Sequence, residues 1–92
     1  MKVALVGFGV ENQAAFRYWQ TKAVTPVICD HDLNVAVPEG TETQLGEKYL
    51  ENLDRFDIIV RTVGMHPKVI LEKNPDLAHK ITTAGNLFFE EC

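Results

Sequence analysis

Apolar and polar positions change rhythm several times along the 92-residue chain. Val3–Val6 is an unbroken apolar run, the pattern of a strand buried on both faces. It stops at Gly7. From Glu11 to Gln20 the period becomes helical, with Ala14, Ala15, Tyr18 and Trp19 on one side and Phe16 on the other. Pro26 opens a second apolar run, Val27–Cys29, which ends at Asp30. Asp32 to Gly40 reads as a loop punctuated by Asn34, Pro38 and Gly40. Thr41–Leu45 alternates enough to predict a short strand. Glu47–Asp54 predicts a helix, with Tyr49, Leu50 and Leu53 at helical spacing. Ile58–Thr62 is the clearest later strand. Gly64 and Pro67 bracket a turn, and Pro67 suits the first position of a helix through Lys73. Asn74-Pro75 ends that helix. Ile81–Thr83 predicts a last strand, and Asn86 a cap for a helix through Glu91.

Strands alternating with helices imply an α/β fold, here a Rossmann-like three-layer sandwich with a mostly parallel sheet of about five strands. In open sheets of this kind ligands bind beyond the carboxyl ends of the strands, where strand order reverses. Gly7–Glu11, Asp30–Asp32 and Thr62–His66 each come after a strand and are expected to converge on one crevice. A fourth segment lies after Thr83. The length suits a single domain over residues 1–92. A net charge of -4 argues against a nucleic-acid or membrane-surface role, which would need a basic face. No apolar run approaches the roughly 20 residues needed to cross a bilayer, and the start lacks a signal-peptide pattern. Cys29 and Cys92 are isolated thiols without CxxC spacing; they suit a reduced, cytoplasmic setting and suggest no metal.

The glycine turn carries the chemistry. Gly7-Phe8-Gly9-Val10-Glu11-Asn12 holds two of the three glycines of a GxGxxG turn, and Asp30 comes at a suitable distance. Such a turn lets a ligand approach the backbone, and the helix behind it offers unpaired N–H groups to a phosphate. The plainer reading is a tight strand-to-helix turn that binds nothing. Asp30 is either an acceptor for ligand hydroxyl or ring N–H groups, or a strand-end cap. His31 and His66 lie just past strand ends and either line the crevice or sit on the surface; neither has metal-ligand spacing. Arg61, near the end of an apolar strand, either reaches toward an anion or snorkels at the sheet end. Of the adjacent Phe88 and Phe89, one is expected in the core and the other at a rim. The chain has no GxxxxGK[ST], no nucleophile elbow and no Cys–His pattern with a base, so no catalytic residue is assigned.

The segments "KVALVGFGVENQAAFRYW", "VICD", "FDIIVRTVGMHP" and "ITTAGNLFFEEC" together resemble the N-terminal domain of Mur ligases, most closely the MurD type. The resemblance covers nearly the whole chain in order and spacing. It implies a Rossmann-like domain that holds the uridine diphosphate of a UDP-muramoyl substrate. It also implies a longer multidomain parent, an ATP-dependent amide ligase of peptidoglycan precursor synthesis. ATP and magnesium would belong to a central domain of that parent, the expected partner here, and the excised N-terminal domain would be inactive alone. By the same resemblance Gly7, Gly9, Val10 and Glu11 lie at the turn that meets the diphosphate. Asp30 and His31 meet the uracil edge, and Thr62 and Gly64 form the third turn. Several residues depart from the family pattern. Glu11 replaces a hydroxyl residue, and Asn12 replaces the third glycine. Asp32 stands where a basic residue can occur, and Val63 replaces a proline. Glu11 at about 5 Å from a phosphate charge would repel it by roughly 3 kcal/mol at an effective dielectric near 20, or else simply stabilise the helix start. Two other readings remain open: an NAD-binding regulatory module of the potassium-channel gating type, compatible with Asp30, and a structural domain without a ligand.

Overall fold

The computed structural model of the protein describes residues 1–62 and 64–86. Its strands are β1 (Val3–Val6), β2 (Val27–Asp30), β3 (Thr43–Leu45), β4 (Ile58–Arg61) and β5 (Ile81–Thr83); its helices are α1 (Val10–Thr21) and α2 (Pro67–Leu71). The five strands form one sheet in the order β3-β2-β1-β4-β5. Every pairing is parallel. The fold is therefore the α/β, Rossmann-like sandwich that the alternation predicts.

Strand β1 is central, which explains its unbroken apolar run. Successive side chains point to opposite faces. Val3 and Leu5 pack with Ala15, Phe16, Trp19, Ile28, Val60 and Ala84 on one face. Ala4 and Val6 pack with Cys29, Leu50, Leu53, Phe56, Ile59, Ile70 and Leu77 on the other. Burying a side chain such as Leu5 completely contributes about 1.5–3 kcal/mol.

Four elements differ from the sequence expectation. The buried stripe of α1 is Asn12, Ala15, Phe16 and Trp19. Phe16 thus lies on the core side, and Ala14 and Tyr18 only flank it. The stripe is a regular i, i+3, i+4, i+7 set, disguised because its first member is polar. Residues 47–52 form turns rather than a helix, followed by a 3-10 turn at Leu53–Arg55. Asn52 has φ 57°, which a helix does not allow. The Gln44 Nε2 also collects the carbonyls of Lys48 (3.2 Å), Tyr49 (3.0 Å) and Glu51 (2.7 Å), which a helix would direct along its axis. At the end of β5, Asn86 is already helical, and its N–H donates to Thr83 Oγ1 at 3.2 Å. Thr83 is the cap, not Asn86. Residues 87–92, Phe88 and Phe89 included, lie outside the described residues. Helix α2 also stops at Leu71, short of Lys73, where Asn74 Nδ2 bonds the carbonyls of Ile70 (3.3 Å) and Leu50 (2.8 Å).

Helix α1 ends in a paired-bond cap. The N–H of Ala23 donates to Gln20 O at 3.1 Å and that of Val24 to Trp19 O at 3.0 Å. This Schellman arrangement puts Ala23 at φ 60°, where glycine usually stands. An L-residue there costs roughly 1 kcal/mol or more. Ala23→Gly is expected to stabilise the domain by about 0.5–1 kcal/mol, because glycine's larger unfolded-state entropy offsets part of the relief. Thermal unfolding is the check, with an expected rise in Tm of about 2–8 °C for a domain of this size.

Candidate functional site

The strand register brings the carboxyl ends level. Val6 pairs with Cys29 on one side and Arg61 on the other, Asp30 pairs with Leu45, and Arg61 pairs with Thr83. Strand order reverses between β1 and β4. The three turns expected to share a crevice leave this one edge.

The first turn is held by two restraints. Gly7 has φ +84°, and a Cβ there would lie 2.6 Å from Thr62 Cγ2. Its N–H donates to Cys29 O at 2.7 Å. Conformation and the neighbouring turn therefore both require glycine. Gly9 differs: it caps α1 with φ -76°, and a Cβ there would meet nothing within 4 Å. The fold does not need glycine at that position; its absence of a side chain leaves open space over the helix start. Gly9 has no side chain to cap α1, so the cap position itself leaves the N–H groups of the first turn uncovered. Val10 is 81% exposed at this point, and Glu11 is exposed beside it.

Asn12, in the place of a third glycine, is fully buried. Its Nδ2 reaches Val6 O at 3.2 Å, Gly7 O at 2.8 Å and Val60 O at 3.2 Å. One amide thus bridges the ends of β1 and β4 across the point of reversal. Its Oδ1 has no partner among the described residues. Residue type alone does not mark this role; the regular stripe Asn12-Ala15-Phe16-Trp19 is the signal that would have placed Asn12 against the sheet.

Asp30 ties the second turn to the first. Its Oδ2 accepts from Phe8 N–H at 3.1 Å and its Oδ1 from Asp32 N–H at 2.9 Å. Its main-chain carbonyl takes Gly46 N–H at 2.9 Å. The carboxylate is thus a strand-end cap first. Asp32, exposed, accepts from Asn34 N–H at 2.9 Å and closes a turn of its own. The bond to Gly46 brings a further turn to the same edge, one that sequence spacing does not single out. Gly46 has φ +89°, and Tyr49, three residues on, meets His31 edge-to-face with ring centroids 5.8 Å apart.

The third turn is braced by Arg61. Its Nη1 donates to Thr62 O at 3.3 Å and Met65 O at 2.9 Å. The guanidinium neither snorkels nor points away from its own loop. Thr62 N–H continues the ladder to Val6 O at 3.2 Å, while Gly64 is exposed. Val63 lies outside the described residues. His66 caps α2, with Nδ1 accepting from Lys68 N–H at 3.1 Å, so one ring nitrogen is engaged by the helix.

Cys29 lies directly beneath this edge, fully buried, and desolvation pushes its thiol up to about 12. It is no nucleophile at neutral pH. Among the described residues no group of three or more His, Cys, Asp and Glu is placed to hold a metal ion. No helix among them is long and apolar enough to cross a membrane. A hollow of about 620 Å³, lined by Glu51, Asn52, Asp54 and residues 73–77, shares no residue with the crevice.

The chain is 29% identical to the UDP-N-acetylmuramoylalanine–D-glutamate ligases of Clostridium tetani and Acetivibrio thermocellus, each over 102 aligned positions. It is 28% identical to that of Clostridium novyi over 100. Each comparison covers 99% of this chain and 22% of the relative's length. The chain is similar to a region of Mur ligases. No family model matches it, and no solved structure does. The likeness to the MurD-type ligases runs through all three turns at the sheet's carboxyl edge, since the comparison takes in almost the whole chain.

Two outcomes test this edge. Asn12→Ala removes the side-chain donor shared by the Val6, Gly7 and Val60 carbonyls, of which Val6 O keeps the Thr62 N–H, and is expected to cost about 1–3 kcal/mol in denaturant unfolding. Asn12→Asp is expected to cost more at pH 7, because a buried carboxylate would face three carbonyl oxygens, and to recover part of the loss in acid. For Cys29 the sign is set by its raised folded value. Below pH 9.0, the ordinary thiol value, both states are protonated and the thiol adds no pH dependence. Between there and about 12 the unfolded thiol ionises first, so stability falls as pH rises. In a Cys92→Ser background, native Cys29 is expected to resist a thiol reagent at pH 9 and to react at once in denaturant. Rapid labelling of the native protein would show the strand edge to be open.

Proposed function

We propose that this domain holds the uridine diphosphate of a UDP-muramoyl precursor at the carboxyl edge of its sheet, as part of a MurD-like amide ligase of peptidoglycan synthesis. The observation that carries this reading is the open helix start at the point of strand reversal, in a chain similar over almost its full length to UDP-N-acetylmuramoylalanine–D-glutamate ligases. The first-turn N–H groups of α1 and the positive end of its dipole, about half an elementary charge, suit a diphosphate. Gly7, Gly9, Val10 and Glu11 would surround the phosphates. Asp30 and His31 would lie toward the base, and Thr62 and Gly64 would close the far side. The activating ATP and its magnesium belong, on this reading, to a central domain of a longer cytoplasmic parent. With no P-loop and no activated nucleophile, the chain alone is expected to turn over no ATP.

The exposure of Glu11 lowers the repulsion that its sequence position suggests. In a water-like dielectric, two unit charges about 5 Å apart repel by about 0.8 kcal/mol, near fourfold in affinity. The cradle therefore tolerates this carboxylate.

Isothermal titration with UDP is the test, using variants that move binding and stability in opposite directions. Gly9→Asp supplies the missing cap and is expected to stabilise the free domain by a few tenths of a kcal/mol. Its side chain would also cover the donors meant for phosphate, so UDP affinity is expected to fall about tenfold or more. Glu11→Gln is expected to raise affinity about two- to fourfold at low salt, with the gain shrinking at high salt. NADP is expected to bind less well than UDP, since Asp30 and Asp32 offer a 2′-phosphate no positive charge. If Gly9→Asp leaves UDP binding unchanged, the phosphates do not sit at this helix start.

A further inference from the structure

Both carboxylate oxygens of Asp30 already hold backbone N–H groups, from Phe8 and Asp32. Beside Asp30, on the base side of the edge, stands a pair of rings. His31 is exposed and meets Tyr49 at 5.8 Å with the ring planes 79° apart. In an edge-to-face pair at least one imidazole face stays clear of the phenol, whichever ring presents its edge. Tyr49 is the fixed member. Its N–H donates to Gly46 O at 3.2 Å, its carbonyl accepts from Gln44 Nε2 at 3.0 Å, and its ring packs on the core face that contains Leu50 and Leu53. Gly46 in turn is held by the Asp30 carbonyl at 2.9 Å, which closes a short circuit around the pair. Burial, and secondarily the Asp30 charge, push the Tyr49 phenol upward, so it stays neutral beside the carboxylate.

We infer that Tyr49 is a positioning residue: it props the His31 ring as a wall against which a pyrimidine base lies, an inference that rests on the uridine-nucleotide reading above. The ring contact is what the role requires, and the phenol hydroxyl is not. An exposed imidazole without that support would be free to rotate about its χ angles, and a base stacking on it would have to freeze that motion. Tyr49 removes this cost in advance. Uracil suits the wall because it is flat and stacks on a ring face without needing the Asp30 oxygens.

The test pairs a binding titration with the proton signals of the His31 ring. UDP is the base-bearing probe and inorganic pyrophosphate the base-free one. Tyr49→Leu keeps apolar volume and removes the ring; Tyr49→Phe keeps the ring. Tyr49→Leu is expected to weaken UDP by about two- to tenfold, and Tyr49→Phe by less than about twofold. Adding His31→Ala to Tyr49→Leu is expected to lose little more, since the two act as a unit. Pyrophosphate binding is expected to be equal in all of them. In the free protein, Tyr49→Leu is expected to shift the His31 ring signals and abolish their through-space contacts to residue 49, while Tyr49→Phe preserves both. The inference is overturned if Tyr49→Leu binds UDP as the wild type does, or if it loses pyrophosphate equally, which would mean that Tyr49 serves the fold. If the wild type binds no UDP at all, the nucleotide reading fails on its own. The positioning role then stands or falls with the His31 signals, and unchanged signals in Tyr49→Leu overturn it.

Discussion

The amide of Asn12 meets a constraint that comes with the topology. Where strand order reverses, β1 and β4 lie side by side and neither leads directly into the other. Their last carbonyls end in a buried region, and a buried carbonyl without a donor costs about 1–3 kcal/mol. Asn12 Nδ2 donates to Val6, Gly7 and Val60 at once, beside the Thr62 N–H that Val6 O also accepts. Doing so fixes the first turn of α1 over the seam, and the orientation of the helix start depends on that fixing. A third glycine would let the helix approach more closely but would offer the carbonyls nothing. Here close packing is replaced by hydrogen bonding, and the geometry of the edge is kept.

The charged side chains of the edge are largely engaged with backbone. Asp30 holds Phe8 and Asp32, and Arg61 holds the turn that begins at Thr62. The turns are thereby set before any ligand arrives, which reduces the ordering cost of binding. On the proposed reading, recognition of an anion would fall to main-chain N–H groups and the helix dipole rather than to a mobile lysine or arginine. On the same reading, such a site would have modest intrinsic attraction, and its selectivity would depend on shape and on the ring pair.

Much of this is legible in the amino-acid pattern, for identifiable reasons. Strands β1, β2 and β4 are buried on both faces, so their apolar runs are unbroken and end at Gly7, Asp30 and Arg61. Those ends set the three turns. The stretch after β3 is not legible as turns, because Tyr49, Leu50 and Leu53 are spaced as in a helix and all contact the core. The residue that decides against a helix is Gln44, outside the segment, together with the left-handed Asn52. Asn12 misleads for the opposite reason: a polar side chain on a buried stripe looks like an interruption until its acceptors are known. The tie of Gly46 to Asp30, and with it the place of Tyr49, depends on strand register, which no periodicity reveals. The likeness to a region of MurD-type ligases agrees with the turns that the pattern does reveal.

The central place of β1 has a bearing on how the chain reaches its fold during synthesis. Its first edge pairs with residues 27–29, but its second waits for Ile58–Arg61. Until those residues leave the ribosome, Val3–Val6 presents a bare, apolar hydrogen-bonding edge, the kind of template on which other chains add strands. β1 thus stays half-covered until β4 has been made, and β4 in turn until β5. A nascent chain with β1 and β2 free but β4 still inside the ribosome would therefore expose a sticky half-sheet.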